Sequence, residues 1–104
     1  MSIWPPTDHY FAAEYVIDRK PVFHCFVQHF TSGWRAAVVD ARKADDTPDG
    51  PRELFLEYVA DPDAGKTAVE RILPKLCDLH RLPHEPLTKW IEVQPGQKKV
   101  WLDP

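Results

Sequence analysis

The apolar residues of this 104-residue chain recur at helical spacing in only one stretch, from about residue 62 to residue 82. Asp61 and Pro62 are typical of a helix start, because Asp accepts hydrogen bonds from the first N–H groups and Pro is favoured in the first turn. Pro74 falls inside the pattern and removes one backbone hydrogen bond, so it predicts a kink. With a single helix, the chain must build the rest of its core from strands.

The other apolar segments have the composition of strands separated by turns. Strands are predicted over residues 10–17, 22–30, 34–42 and 52–60, and the tail is predicted to form a hairpin over 90–102. Residues 10–17 also fit a short helix, but their aromatic and β-branched side chains favour a strand. The expected fold is therefore α+β: a mainly antiparallel sheet of five or six strands, with one kinked helix packed on one face and a C-terminal hairpin.

Length and charge limit the classes of function. One domain over residues 1–104 is expected, with an extended N-terminal arm at 1–9 and an exposed, mobile loop at 43–51. The net charge of −3 gives no electrostatic attraction for nucleic acid, so no nucleic-acid partner is expected. No apolar run approaches the roughly 20 residues of a membrane span, and no signal-peptide pattern opens the chain. We therefore expect no membrane partner and a cytoplasmic location.

The stretch ADPDAGKT, residues 60–67, loosely matches a phosphate-binding loop, in which backbone N–H groups close around phosphates. Two carboxylates, Asp61 and Asp63, would repel the phosphates, and Pro62 lacks an N–H donor. A helix start explains the same residues except Gly65, for which close packing is the expected reason. We predict no nucleotide and no other cofactor.

Cysteine and histidine offer only part of a metal site. Cys77 and His80 share a helix face and His84 follows nearby, but Cys25 and His29 lie about 13 Å apart along a strand and cannot bind one ion. The chain also lacks the CxxC spacing that is typical of structural zinc. We predict no metal, and whether Cys77, His80 and His84 bind one stays open.

No catalytic signature stands out. Neither Cys25 nor Cys77 lies at a helix N-terminus or in a glycine-framed turn, where thiols are activated. Strand alternation puts Glu53 and Glu57 on one face about 13 Å apart, too far for a glycosidase pair. A non-enzymatic role is therefore favoured, and no catalytic residue is predicted.

The mismatch between one helix and a wide sheet predicts an interface. Five or six strands make a sheet about 24–29 Å wide, whereas one helix with its side chains is about 10 Å wide. The strand at 22–30 is apolar on both faces, so the uncovered surface is expected to be buried against another chain. We predict a homodimer formed through the open sheet face or an edge strand, with these interface residues: Phe23, Phe26, Phe30 and Phe55.

A small-ligand pocket on the aromatic sheet face is the alternative use of that surface. Such a pocket, in a binding protein or an enzyme, would use His24, Gln28, Trp34 and Glu57. The sequence thus predicts a small, soluble, non-enzymatic binding or interaction protein that acts as a homodimer. Its target, a protein partner or a small molecule, is not identified by any motif.

Overall fold

A computed structural model describes residues 9–30, 33–43, 48 and 51–93 of the chain. The elements follow in the order β1 (Tyr10–Ile17), β2 (Lys20–Phe30), β3 (Gly33–Asp40), β4 (Glu53–Val59), α1 (Pro62–Leu79) and β5 (Ile91–Val93). The strands form one antiparallel sheet in the spatial order β4-β3-β2-β1-β5. The first four strands are therefore a meander, and α1 carries the chain across one sheet face to the opposite edge, where β5 pairs with β1.

The predicted α+β architecture, an antiparallel sheet with one helix packed on it, is confirmed. Residues 10–17 form a strand, as their aromatic and β-branched side chains predict. The described residues hold five strands and no sixth. α1 is assigned as a single helix through Pro74, and a kink there stays a prediction. Most of the N-terminal arm, most of the loop at 43–51 and most of the C-terminal hairpin lie outside the described residues.

The helix start accounts for the stretch that resembled a phosphate-binding loop. Asp61 is the N-cap, and its Oδ1 accepts a hydrogen bond of 2.8 Å from the N–H of Ala64. Gly65 is buried where α1 crosses the sheet, and a Cβ there would lie 2.6 Å from Cγ1 of Val27. Gly65 therefore permits a close approach of helix to sheet, as predicted, and the first N–H groups of α1 face a carboxylate of the chain itself.

One sheet face packs against α1 in the main core. The central strands contribute four fully buried side chains: Cys25, Val27, Ala36 and Val38. The helix contributes residues spaced three and four apart: Val69, Leu73, Leu76 and Cys77. Each fully buried Val or Leu side chain stabilises the fold by roughly 1.5–3 kcal/mol, so this contact fixes α1 on the sheet.

The centre of the opposite sheet face is also buried within the single chain. Tyr10, Ala12, Phe26, Val39 and Val93 form a second apolar cluster, and each is at most 2% exposed. The sequence predicted a broad apolar face that the helix leaves uncovered, but the centre of this face is buried. Toward the β4 edge of the same face, Leu56 and Tyr58 are exposed.

A register shift in β4 changes the faces of its side chains. Phe55 pairs with Val38, but Glu53 pairs with Val39, so Leu54 is the extra residue of a bulge. Leu54 consequently packs toward the helix-side core. Glu53 and Glu57 thus lie on opposite faces, which corrects the prediction from strict alternation that they share one.

Candidate functional site

The structure separates the four residues predicted for a pocket into two pairs. His24 and Gln28 on β2 lie on the same sheet face as Phe26, opposite α1. Trp34 pairs with Val59, and Glu57 pairs with Ala36, on the face that carries α1. The sheet stands between the two pairs, so these four residues do not line one cavity.

Each pair has structural partners of its own. His24 Nε2 lies 3.2 Å from Oε2 of Glu14, and Gln28 Oε1 accepts a hydrogen bond of 2.6 Å from Arg35. Burial lowers the pKa of His24, although the Glu14 carboxylate acts in the opposite direction. Across the sheet, the ring of Trp34 packs edge-on to His29, with centroids 4.9 Å apart, and Glu57 is exposed at the β4 edge.

The predicted interface phenylalanines are largely internal. Phe23 is fully buried beneath α1, and Phe26 is buried on the opposite face. Phe55 is half-buried against the helix-side core. The side chain of Phe30 lies outside the described residues. Phe23 and Phe26 therefore pack inside the single chain and stabilise its fold.

The cysteines and helix-end histidines are placed apart. Cys25 and Cys77 are free and buried, and burial raises the pKa of the Cys25 thiol far above its usual range. His84 Nε2 lies 2.8 Å from Oδ1 of Asp78, and His80 packs edge-on to Phe23. Across residues 9–30, 33–43, 48 and 51–93, no three His, Cys, Asp or Glu side chains are grouped to hold a metal ion.

A cavity of about 350 Å³ lies between α1 and residues 81–90, which we call the connecting segment. Its floor is buried and consists of Tyr15, Leu73 and Cys77. Its walls are two half-buried side chains, Leu87 and Trp90. Exposed residues form its rim: Glu70, Pro74, His84, Glu85, Pro86 and Thr88. The volume lies at the lower end of the roughly 300–1,000 Å³ found for small-molecule sites.

Hydrogen bonds fix the connecting segment to β1. The hydroxyl of Tyr15 donates to the carbonyl of Pro83 and accepts a 2.7 Å hydrogen bond from the N–H of Glu85. Farther along, Thr88 Oγ1 accepts from the N–H of Glu14 at 2.8 Å, and the N–H of Thr88 donates to the carbonyl of Glu14 at 3.1 Å. The cavity therefore has two ordered sides, a helix and a segment held to a strand.

Two further interactions define the chemistry of the cavity. The indole Nε1–H of Trp90 donates to Oε2 of Glu70 at 3.3 Å, which links the connecting segment to α1 at the rim. Burial, followed by a hydrogen bond with the Cys77 thiol, raises the pKa of Tyr15 to about 12. The phenol on the cavity floor is thus neutral at pH 7.

The cavity had no signature in the sequence. Glu70, Leu73, Pro74 and Cys77 share one helix face, but their spacing is that of any amphipathic helix. The connecting segment, RLPHEPLTKW, has no periodic pattern and reads only as the end of a helix. Its prolines were the available signal, because each restricts the backbone and favours an ordered, extended path.

α1, the one helix among the described residues, is not long and apolar enough to cross a membrane. The chain matches no protein-family model, no curated protein and no solved structure.

Proposed function

We propose that this chain is a small-ligand-binding protein whose site is the cavity between α1 and the connecting segment. The observation that carries this proposal is an apolar cavity with a buried floor and a polar rim. Apolar walls supply affinity, and a few polar groups fix the orientation of a ligand. This site lies beside α1, whereas the sequence suggested a pocket on the aromatic sheet face.

Preorganisation supports the same function. Tyr15 and Thr88 hold the connecting segment to β1 through four hydrogen bonds, and Trp90 links it to Glu70. A site that is already ordered loses less conformational entropy when a ligand binds, so more of the contact energy appears as affinity. Weak contacts with a small ligand are then sufficient for measurable binding.

The indole N–H signals in a two-dimensional ¹H–¹⁵N spectrum provide a direct test. The chain has four tryptophans, and Trp90→Phe identifies the signal of Trp90. In a titration with a fragment library, we expect saturable shifts of the Trp90 signal, which comes from the cavity wall. Trp34 packs against His29 away from the cavity and serves as the internal control.

Two variants locate the binding. Trp90→Leu removes a wall and should weaken every fragment that shifts the signals of the connecting segment. Leu79→Ala removes an exposed apolar side chain of α1 that does not line the cavity, and it should leave affinity unchanged. A library with no saturable binder at Trp90, or equal losses in the two variants, would refute a ligand site in this cavity.

Homodimerisation is a second candidate, which we propose on a separate observation. Asp63, Thr67, Arg71 and Lys75 follow each other at four-residue spacing along the outer side of α1, in the groove beside β4. This stripe of four residues begins with the negative Asp63 and ends with the positive Arg71 and Lys75. A second copy running antiparallel, with the two-fold axis between Thr67 and Arg71, would place Asp63 of each copy opposite Lys75 of the other.

The neighbouring edge strand offers apolar surface for the same arrangement. Among the described residues, β4 pairs only with β3, and Leu56 on β4 is 40% exposed. Antiparallel pairing of two β4 strands centred on Leu56 would bury this side chain against its copy and extend the sheet. This homodimer uses an edge strand, one of the two surfaces that the sequence suggested.

Sedimentation velocity over a range of concentrations tests the dimer. Lys75→Asp places like charges opposite each other in the dimer and should weaken association, whereas the double variant Asp63→Lys/Lys75→Asp should restore it. Lys89→Asp changes the same charge outside the stripe and is the matched control. A wild-type chain that stays monomeric at every concentration, or a double variant no better than Lys75→Asp, would rule out this arrangement.

A further inference from the structure

The cavity rim presents acceptors to a ligand, while most of its donors are already engaged; the Thr88 hydroxyl, which accepts from the N–H of Glu14, keeps its own O–H. The Tyr15 hydroxyl donates to Pro83, the Trp90 indole to Glu70 and the Thr88 N–H to Glu14. His84 is paired with Asp78, which lies outside the lining. A ligand that needs donors, such as a carboxylate or phosphate, would find few of them here.

The charges of the lining have one sign. Glu70 and Glu85 are both on the rim, and no lysine or arginine is among the lining residues. The backbone N–H of Glu85 donates to the Tyr15 hydroxyl, so Glu85 lies beside the cavity floor. The lining therefore carries two carboxylates and no lysine or arginine to offset them, which favours a ligand with positive charge.

Pro74 adds a further acceptor. In a regular helix the N–H of residue 74 would donate to the carbonyl of residue 70, but proline has no N–H. The Glu70 carbonyl thus lacks its regular helical donor. Glu70 and Pro74 both lie on the rim of the cavity.

We infer that the cavity binds a small organic cation, with an apolar body against Leu73, Leu87 and Trp90 and an ammonium head at the rim that carries Glu70 and Glu85. An ammonium group carries three donors and no acceptor, which complements a rim rich in acceptors. An aromatic wall also attracts a cation electrostatically. This inference depends on the proposed ligand-binding function, and it adds the chemical class of the ligand.

Three probes with one ring and different heads test the inference: benzylamine, benzyl alcohol and benzoate. The readout is the Trp90 indole shift in wild-type protein at low and high salt. We expect benzylamine to bind most tightly and benzoate most weakly, with the preference for benzylamine reduced by salt. Exposed ionic contacts change affinity by only about two- to fivefold each, so the comparison uses full titrations.

Substitution of the two carboxylates assigns the preference to the rim. Glu70→Gln and Glu85→Gln remove charge at nearly constant shape, and the Glu70→Gln variant keeps a side-chain oxygen that can accept from Trp90. Each should weaken benzylamine roughly two- to fivefold, leave benzyl alcohol unchanged, and together abolish the difference between these probes. Glu57→Gln, at the β4 edge away from the cavity, is the charge-matched control and should change neither probe.

The outcomes separate the two proposals. Equal binding of benzylamine and benzyl alcohol at Trp90 would overturn the cationic ligand class and leave the binding cavity intact. A preference for benzylamine that survives in the Glu70→Gln/Glu85→Gln double variant would overturn the assigned head-group site. Failure of all three probes, and of the wider library, to shift Trp90 would overturn the ligand-binding function itself.

Discussion

Gly65→Ala is the substitution that most directly tests how α1 packs on the sheet. The added Cβ would lie 2.6 Å from Cγ1 and 3.1 Å from Cγ2 of Val27, and 3.3 Å from Cγ2 of Val59. Both γ-methyl groups of Val27 face the new atom, so rotation about χ1 of this β-branched side chain cannot clear the space. Val27 itself is fully buried in β2. The helix or the strand must therefore move.

Two opposing contributions determine how much Gly65→Ala changes the free energy of unfolding. Overpacking of a close-packed core costs about 1–3 kcal/mol. Replacing glycine by alanine inside a helix returns about 0.5–1 kcal/mol, because the unfolded chain loses conformational freedom. We therefore expect Gly65→Ala to lower the free energy of unfolding by about 1–2 kcal/mol, which corresponds to a Tm lower by roughly 4–16 °C in a domain of this size.

Urea denaturation followed by circular dichroism gives the free energy of unfolding, with an unchanged m-value as a check on two-state behaviour. Ala64→Gly is the control at the neighbouring, exposed position of the same helix, where only helix propensity should act, at a cost of about 0.5–1 kcal/mol. Val27→Ala removes both γ-methyl groups, so Gly65→Ala should be much less harmful in that background.

A stabilising Gly65→Ala would refute the close approach of α1 to β2, because only an unobstructed helical position gains from this change. The same conclusion would follow if the Val27→Ala background left the effect of Gly65→Ala unchanged. Either result would reopen the question of why a glycine occupies this position, including the phosphate-loop hypothesis.

Three further predictions concern polar groups. Asp40 is buried, which by itself raises its pKa, but hydrogen bonds from the backbone and guanidinium of Arg42 outweigh this effect and lower it. Arg42→Ala should therefore lower the free energy of unfolding by about 1–2 kcal/mol at pH 7, measured by urea denaturation. The difference from wild type should shrink below about pH 4 as Asp40 is protonated. A difference that does not change with pH would contradict this prediction. Burial lowers the pKa of His24, so as the pH falls below about 6.5 the unfolded chain binds a proton before the folded chain does, and stability is lost. His24→Gln should therefore reduce the loss of unfolding free energy between pH 7 and 5. Equal pH slopes in the variant and the wild type would contradict this prediction. Tyr15→Phe leaves two backbone groups of the connecting segment without their partner and should cost about 1–3 kcal/mol, with faster amide exchange in that segment; unchanged exchange would show that Tyr15 does not hold it.

Local sequence was sufficient for the elements themselves. Asp61 and Pro62 predict the start of α1 because capping depends only on neighbouring residues along the chain. The strands at 10–17 and 22–30 follow from side-chain types that suit a pleated surface, and both occur. Even the reason for Gly65, close packing, could be proposed from the sequence, although not which strand it approaches.

Register could not be predicted from local pattern. Strict alternation places Glu53 and Glu57 together, and a single extra residue, Leu54, separates them onto opposite faces. The same dependence on register divides His24 from Trp34. Pairing between strands is decided by packing across the whole sheet. Alternation within one strand therefore does not show which residues of different strands share a face.

The sequence by itself determined the kind and approximate position of the first four strands and of the helix, because periodicity, capping and side-chain shape act over a few residues. Only the tertiary structure decided that the centre of the face opposite α1 is buried and that a cavity exists beside the helix. That cavity joins Tyr15, Leu73 and Trp90, which are far apart along the chain. They meet because α1 crosses the sheet and the connecting segment returns along β1, a path set by long-range packing that no local pattern encodes.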